Sequence, residues 1–297
     1  MKSGFITIQT SKWKLSESAV KISENDILRS EFILRIIQAT SSIITPKPTS
    51  NIPKVIIQFW DGNDIPKDVQ ECIKSWQSLK GNGIEHQIFN STTARKFIEN
   101  NLCEENVKAF DRCYHPAMKS DYFRLCYIYC NGGFYVDADD VYSGLDISPL
   151  FSDHRMKLQP LCYDIDSNAM ISPDEFIVSG KATDNRIFYF NNNPIIAPPN
   201  HPIVEYALMR STCLLLEKNE DHLPEIQSTT GPGNISASVV AYLADYESDI
   251  RAEHLDIMSK WVDLAKTIWD LSYRHDSRNW RLSNRKNYEQ TQSDKMD

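Results

Sequence analysis

Asp137-Ala138-Asp139-Asp140 puts carboxylates close together where an alternating stretch ends. In an extended strand successive side chains point to opposite faces, so Phe134, Val136 and Ala138 are expected on one side and Tyr135, Asp137 and Asp139 on the other. Mg2+ and Mn2+ prefer oxygen ligands and bind through one or two carboxylates plus substrate phosphates. The spacing therefore suits a cation bridging protein and diphosphate. By itself an Asp-x-Asp is a weak signal, and a solvated acidic turn has the same composition. Upstream, Asp121 and Arg124 are three residues apart, hence neighbours on one helical face that Ala117 and Ile128 continue.

These groups need a helix, a tight turn and a strand to hold them. Met118, Tyr122, Leu125, Cys126 and Tyr129 recur at helical spacing, which predicts a helix with one buried face. Pro116 suits its first turn, and Asn131-Gly132-Gly133 suits a left-handed end. The whole unit, Ser120-Asp121-Tyr122-Phe123-Arg124 and then Gly132-Gly133-Phe134-Tyr135-Val136-Asp137-Ala138-Asp139, resembles the glycosyltransferase sugar-binding region containing the DXD motif. That family's pattern runs Ser-Asp-x-x-Arg, then Gly-Gly-x-Tyr-x-Asp-x-Asp.

The resemblance implies a GT-A fold, a Rossmann-like, mixed and mostly parallel sheet flanked by helices. It also implies a retaining enzyme related to mannosyltransferases, capsular polysaccharide transferases and the catalytic domains of clostridial toxins. On the family pattern Asp137 and Asp139 hold Mn2+ or Mg2+. Asp121 accepts hydrogen bonds from sugar or ribose hydroxyls, and Arg124 serves the sugar or phosphate as a fixed cation, a task lysine performs poorly. Gln58, Trp60, Tyr135, Ala138, Asn193 and Gly231 complete the donor-binding set that the resemblance implies.

In chain order, residues 1–22 read as an irregular arm and residues 23–38 as an added helix with a broad apolar face. Thr45-Pro46-Lys47-Pro48-Thr49-Ser50 then breaks regular structure. Residues 52–60 form a continuous apolar run expected as a buried strand, ending at Trp60-Asp61-Gly62, and ligands gather at such carboxyl ends in open α/β sheets. This run resembles the family's first strand, with Ile57 where a histidine is usual. Trp60 either stacks on the donor base or packs at the strand end.

Alternating helix and strand patterns follow at residues 68–79, 86–89, 92–99 and 104–113. Residues 151–179 show no clear pattern, and Asp164 and Asp166 are expected in an acidic loop. Residues 188–197 read as a strand interrupted by Asn191-Asn192-Asn193, followed by a helix from Asn200-His201-Pro202. The loop at Thr229-Thr230-Gly231-Pro232-Gly233-Asn234 matches the family's Thr-Gly-Pro-Gly block, and its backbone donors at a helix start suit an anion or a sugar oxygen. His275, followed by Trp280, resembles the family ending in which a carboxy-terminal histidine or acid completes the metal site. An exposed histidine in a basic tail is the plain alternative.

The 297 residues divide on this reading into an arm and helix (1–50), a GT-A domain (51–285) and a polar tail (286–297). With 41% hydrophobic and 10% aromatic residues the chain can bury a substantial core. A net charge of −8 argues against general nucleic-acid binding, which draws its affinity from neutralised phosphates. The seven cysteines form no Cys-x-x-Cys pair, which suits reduced thiols in a cytosol and argues against zinc. Met1 to Gln9 does not read as a signal peptide and no segment is apolar enough to span a bilayer, so a cytoplasmic location is expected. Arg274, Arg278, Arg281 and Arg285 leave a peripheral contact with anionic lipid open.

The expected activity is metal-dependent transfer of a sugar from a nucleotide-sugar, with a uridine diphosphate sugar the first expectation. The acceptor is a glycan or lipid-linked glycan of a surface polysaccharide or glycolipid. Modification of a protein by an effector-like enzyme, and a non-catalytic sugar-nucleotide-binding module, are the rival readings.

Overall fold

The computed structural model describes residues 15–39, 52–172, 185–217, 223–246, 253–276 and 278–281. The break read at Thr45 to Ser50 and the polar tail at 286–297 lie outside these residues. Strand β1 (Val55–Phe59) is buried at every position, as its unbroken apolar run requires. It pairs in parallel with β2 (Glu85–Phe89) on one side and β3 (Gly133–Tyr135) on the other. β3 runs antiparallel to β7 (Arg186–Ala197), which is antiparallel to β5 (Met156–Asp164). β6 (Ala169–Ile171) pairs antiparallel with β5, and β8 (Leu255–Ile257) pairs in parallel with it. Thus β1, β2, β3, β5 and β8 share one direction while β6 and β7 oppose them, the mixed but mostly parallel sheet expected. Two short strands, β4 (Asp140–Tyr142) and β9 (Ala265–Thr267), form a second, antiparallel pair.

Helices α1 (Glu17–Glu24) and α2 (Asp26–Ala39) precede the sheet. Helical structure therefore starts at Glu17, inside the arm expected to be irregular. Ser16 explains the early start, because its hydroxyl accepts from the Ala19 amide as an N-cap. The single expected helix is two, because Asn25 interrupts it and its side chain caps the second through the Ile27 and Leu28 amides. Phe32, Ile33, Ile36 and Ile37 enter the main core, so α2 covers the sheet as its apolar face implied.

Helices α3 (Lys67–Gln77), α4 (Ser91–Asn101) and α5 (Glu104–Asp111) connect the first strands. α6 (Pro116–Asn131) is buried on nearly all sides between Met118 and Ile128, more fully than one apolar stripe suggested. It packs against α4, α5 and α7 (Pro202–Leu216) as well as β3 and β7. His115 caps its start through the Ala117 amide. Gly132, at φ 68°, ends it with its amide bonded to Ile128. A side chain there would lie 2.7 Å from Pro199 and 2.9 Å from Pro53. The double glycine therefore answers close packing as much as backbone turning. Helix α8 (Pro232–Leu243) completes the layer behind β7.

Two sequence readings change. The segment after residue 151 is not patternless: β5 and β6 occupy it, their alternation masked by burial of five consecutive β5 residues, Met156 to Pro160. Residues 186–197 form one continuous strand rather than two pieces around an asparagine turn. The asparagines stay in the strand because their side chains find buried partners, Asn192 at Asp121 and Asn193 at Asp137 and Asp140. Asp164, expected in a loop, ends β5, and its carboxylate accepts from Ser167 and Arg186.

Candidate active site

The carboxyl ends of β1 and β3 open into a cavity of about 960 Å³, of the size that small-molecule sites occupy. Trp60, Asp121, Arg124, Asp137, Ala138, Asp139 and Asn193 line it. All seven were expected from the sequence to belong to the site. Gln58, Tyr135 and Gly231 instead stand behind that lining. Gln58 is fully buried, and its Nε2 donates to the Asp137 carbonyl at 3.1 Å. Its Oε1 lies 2.8 Å from His86 Nε2, so that nitrogen carries the hydrogen. Burial lowers the His86 pKa to about 4, which keeps the ring neutral. Tyr135 bonds Ser120 at 2.6 Å, and its ring lies under the Arg124 guanidinium, 4.2 Å from centroid to Cζ. The Gly231 amide is spent on the Ile226 carbonyl, and its α-carbon backs onto Asp121.

Asp137 is fixed from three sides. Its amide donates to Asn193 Oδ1 at 3.0 Å, its carbonyl accepts from Gln58, and its carboxylate accepts from Arg124 Nη2 at 2.8 Å. About a third of the side chain faces open space. The same Arg124 nitrogen lies 3.0 Å from Asp121, while Nη1 donates to the Asn192 carbonyl at 2.6 Å. Asp121 also accepts from Asn192 Nδ2 at 2.7 Å. One guanidinium thus ties two carboxylates to the strand that carries the asparagines.

The extended alternation expected through Asp139 stops early. β3 ends at Tyr135, and residues 138 and 139 turn the chain into β4. The turn is closed by the Asp140 amide on the Asp137 carbonyl at 3.3 Å. Asp139 therefore leaves the strand line. Its Oδ2 accepts from the Tyr273 hydroxyl at 2.7 Å and forms an ion pair with Arg274. Asp140, which the sequence reading passed over, is fully buried. It accepts from Asn193 at 2.8 Å and from Thr267 at 2.6 Å.

Burial raises the pKa of Asp121, Asp137 and Asp140, and neighbouring carboxylates raise Asp137 and Asp140 further. Burial alone would depress Arg124, yet Asp137, Tyr135 and Asp121 outweigh it and its pKa is raised. The hard oxygen donors of Asp137 and Asp139 fit a divalent cation that arrives with phosphates. Among the described residues no group of three His, Cys, Asp or Glu is arranged to hold a metal unaided. His275 is not brought to the acids. It is mostly exposed, with Nε2 3.8 Å from Asp270, and Tyr273 and Arg274 are the residues of its turn that reach Asp139.

With this geometry in view, residues 66–146 match the family described as glycosyltransferase sugar-binding region containing DXD motif. Within those residues the chain is similar to this glycosyltransferase region. The match contains Asp121, Arg124, Asp137 and Asp139. An uncharacterized glycosyltransferase, L373, of Acanthamoeba polyphaga mimivirus is 22% identical over 199 residues, 64% of this chain and 66% of its own length. The chain thus spans just under two thirds of that relative. Among solved structures, the PaToxG glycosyltransferase superposes with a TM-score of 0.44 at 15% identity, over 79% of this chain and 83% of its own.

The match over residues 66–146 agrees with the glycosyltransferase resemblance drawn from the central motif. Sequence reading missed Asn192, Asp140, Thr267, Tyr273 and Arg274 as residues of this cavity and its supports. Asn192 lay in a flagged asparagine run and Arg274 in a flagged basic cluster. Nothing local marked Thr267, which meets Asp140 across 127 residues. All seven cysteines are free thiols. Among the described residues no helix is long and apolar enough to cross a membrane.

Proposed function

We propose that this glycosyltransferase moves a sugar from a nucleotide-sugar, a uridine diphosphate sugar first among them, to a hydroxyl of a glycan acceptor with the help of Mn2+ or Mg2+. The observation that carries the reading is the placing of Asp137 and Asp139 on the wall of one large cavity, with the Asp121–Arg124 pair beside them. Asp137 and Asp139 would hold the cation, which when bound supplies positive charge to the departing diphosphate.

The chain's own residues do the rest by position. Arg124 is locked by Asp121, Asp137, Ser120 and the Asn192 carbonyl, so its charge is preorganised rather than mobile. Asp121 stands at the cavity wall, where a sugar or ribose hydroxyl can donate to it. Trp60 presents an aromatic face for the base at the mouth, its indole nitrogen bonded to the Asp64 carbonyl at 3.2 Å. Retention at the transferred carbon rests on the resemblance of the central motif.

The test is release of free nucleoside diphosphate from a panel of sugar donors, with and without Mn2+, comparing the natural protein with Asp137→Ala. Metal-dependent release from one donor, lost in the variant, supports transfer chemistry and names the sugar. No release from any donor, together with no donor binding by calorimetry, removes the enzymatic reading.

A further inference from the structure

The contact between Asp139 and Arg274 joins the central motif to a turn 135 residues further along. Each side chain of the pair is only 13% exposed. The Tyr273 hydroxyl shares the same carboxylate oxygen. The turn itself, Ser272–His275, is anchored to the first turn of α3, because the Ser272 amide and hydroxyl both donate to Asp68, at 2.6 and 3.1 Å. Arg274 also lies over the Trp269 ring, 4.7 Å from its centroid. Its Nε is buried with no hydrogen-bond partner, an arrangement that costs free energy and leaves a donor to be satisfied.

We propose that Arg274 is the resident counter-cation of Asp139, and that it is displaced from that carboxylate when a divalent cation arrives with the donor. The inference rests on Asp139 serving as a cation ligand. The Asp139 Oδ2 is already filled by the guanidinium and the Tyr273 hydroxyl, and a divalent ion drawn to either oxygen of this carboxylate is repelled by the adjacent guanidinium, so the two cations compete for it. Competition makes the site discriminate. A free cation must evict Arg274 unaided, whereas a cation carrying a diphosphate offers the displaced guanidinium a new anionic partner, and guanidinium pairs well with phosphate oxygens. Arg274 is then a positioning residue that couples cation binding to donor binding.

The experiment measures Mn2+ affinity from the free-ion paramagnetic resonance signal, with no nucleotide present. It compares the natural protein with Arg274→Gln and Asp139→Asn, and circular dichroism verifies folding of each. Arg274→Gln is expected to bind Mn2+ about tenfold more tightly, the effect of removing one charged competitor. Adding uridine diphosphate is expected to tighten Mn2+ binding in the natural protein by a larger factor than in Arg274→Gln. Equal Mn2+ affinity in the natural protein and Arg274→Gln, with binding still lost in Asp139→Asn, overturns the competition and leaves Asp139 as a ligand. Unchanged binding in Asp139→Asn, or none in any protein, overturns both.

Discussion

Arg124 and Asp137, thirteen residues apart, meet at 2.8 Å, and through that contact the helix α6 sets the position of the first acid of the motif. The same guanidinium reaches Asp121 and the Asn192 carbonyl. Geometry at the cavity is thus fixed by one buried cation with several fixed partners.

Arg124→Lys is expected to fail as a conservative change. A single ammonium cannot reproduce the planar fork that spans Asp121, Asp137 and a carbonyl. Leaving a buried carboxylate without its partner costs about 3 kcal/mol or more. Urea denaturation should show that loss, and a variant as stable as the natural protein would mean the network contributes little.

Asp139→Asn keeps the shape of the side chain and one acceptor oxygen but removes its charge. Donor cleavage should fall at least about a hundredfold, the scale seen when a group stabilising transition-state charge is lost. Full activity without metal would show that the motif acid takes no part in the reaction.

Replacing Trp60 by alanine separates the two roles its position allows. If it stacks on the base, donor affinity measured by calorimetry should weaken about tenfold, as for other base–aromatic contacts. If it only packs within the protein, edge-on to Tyr273 at 5.3 Å between ring centroids and bonded to the Asp64 carbonyl, donor affinity will not change.

The pH dependence of stability should carry a signature of His201. Burial, with His254 nearby, lowers its pKa from 6.5 to about 3. Between those values the unfolded chain binds a proton that the folded chain does not. Its stability contribution is therefore complete above pH 6.5 and declines as pH falls toward 3, by about 1.4 kcal/mol per pH unit. Stability curves for the natural protein and His201→Asn should diverge in that window, and parallel curves would show that the ring is protonated in place.

Gly132→Ala should be markedly destabilising, by more than about 1 kcal/mol, because a left-handed backbone and two proline contacts leave no room for the methyl group. A urea midpoint equal to that of the natural protein would show that the loop relaxes freely.

The parts of this structure legible in the sequence are those set by near neighbours. Asp121 and Arg124 follow from helical spacing, and β1 follows from its apolar run. Of the cavity residues, Asp121, Arg124, Asp137, Ala138 and Asp139 follow from a motif whose members sit within about one helix and one strand of each other. What escaped was long-range. Periodicity carried Asp139 onto a strand, whereas the pull of Tyr273, Arg274 and the β4–β9 pairing turns the chain at that point. The asparagines of β7 looked like a turn because their composition does not reveal the buried acids they meet, Asp121 on α6 and Asp140 on β4. His275 carried the expected residue type at the expected distance, yet its neighbours on the same turn face the site.

The pairing of β4 with β9 has a consequence for how the protein comes into being on the ribosome. Asp140 is secured by Thr267, and Asp139 by Tyr273 and Arg274, all synthesised more than a hundred residues later. A nascent chain that has completed the region matched at residues 66–146 therefore holds Asp139 and Asp140 without Thr267, Tyr273 and Arg274. The surroundings of these two acids are complete only once synthesis has passed residue 274, late in translation.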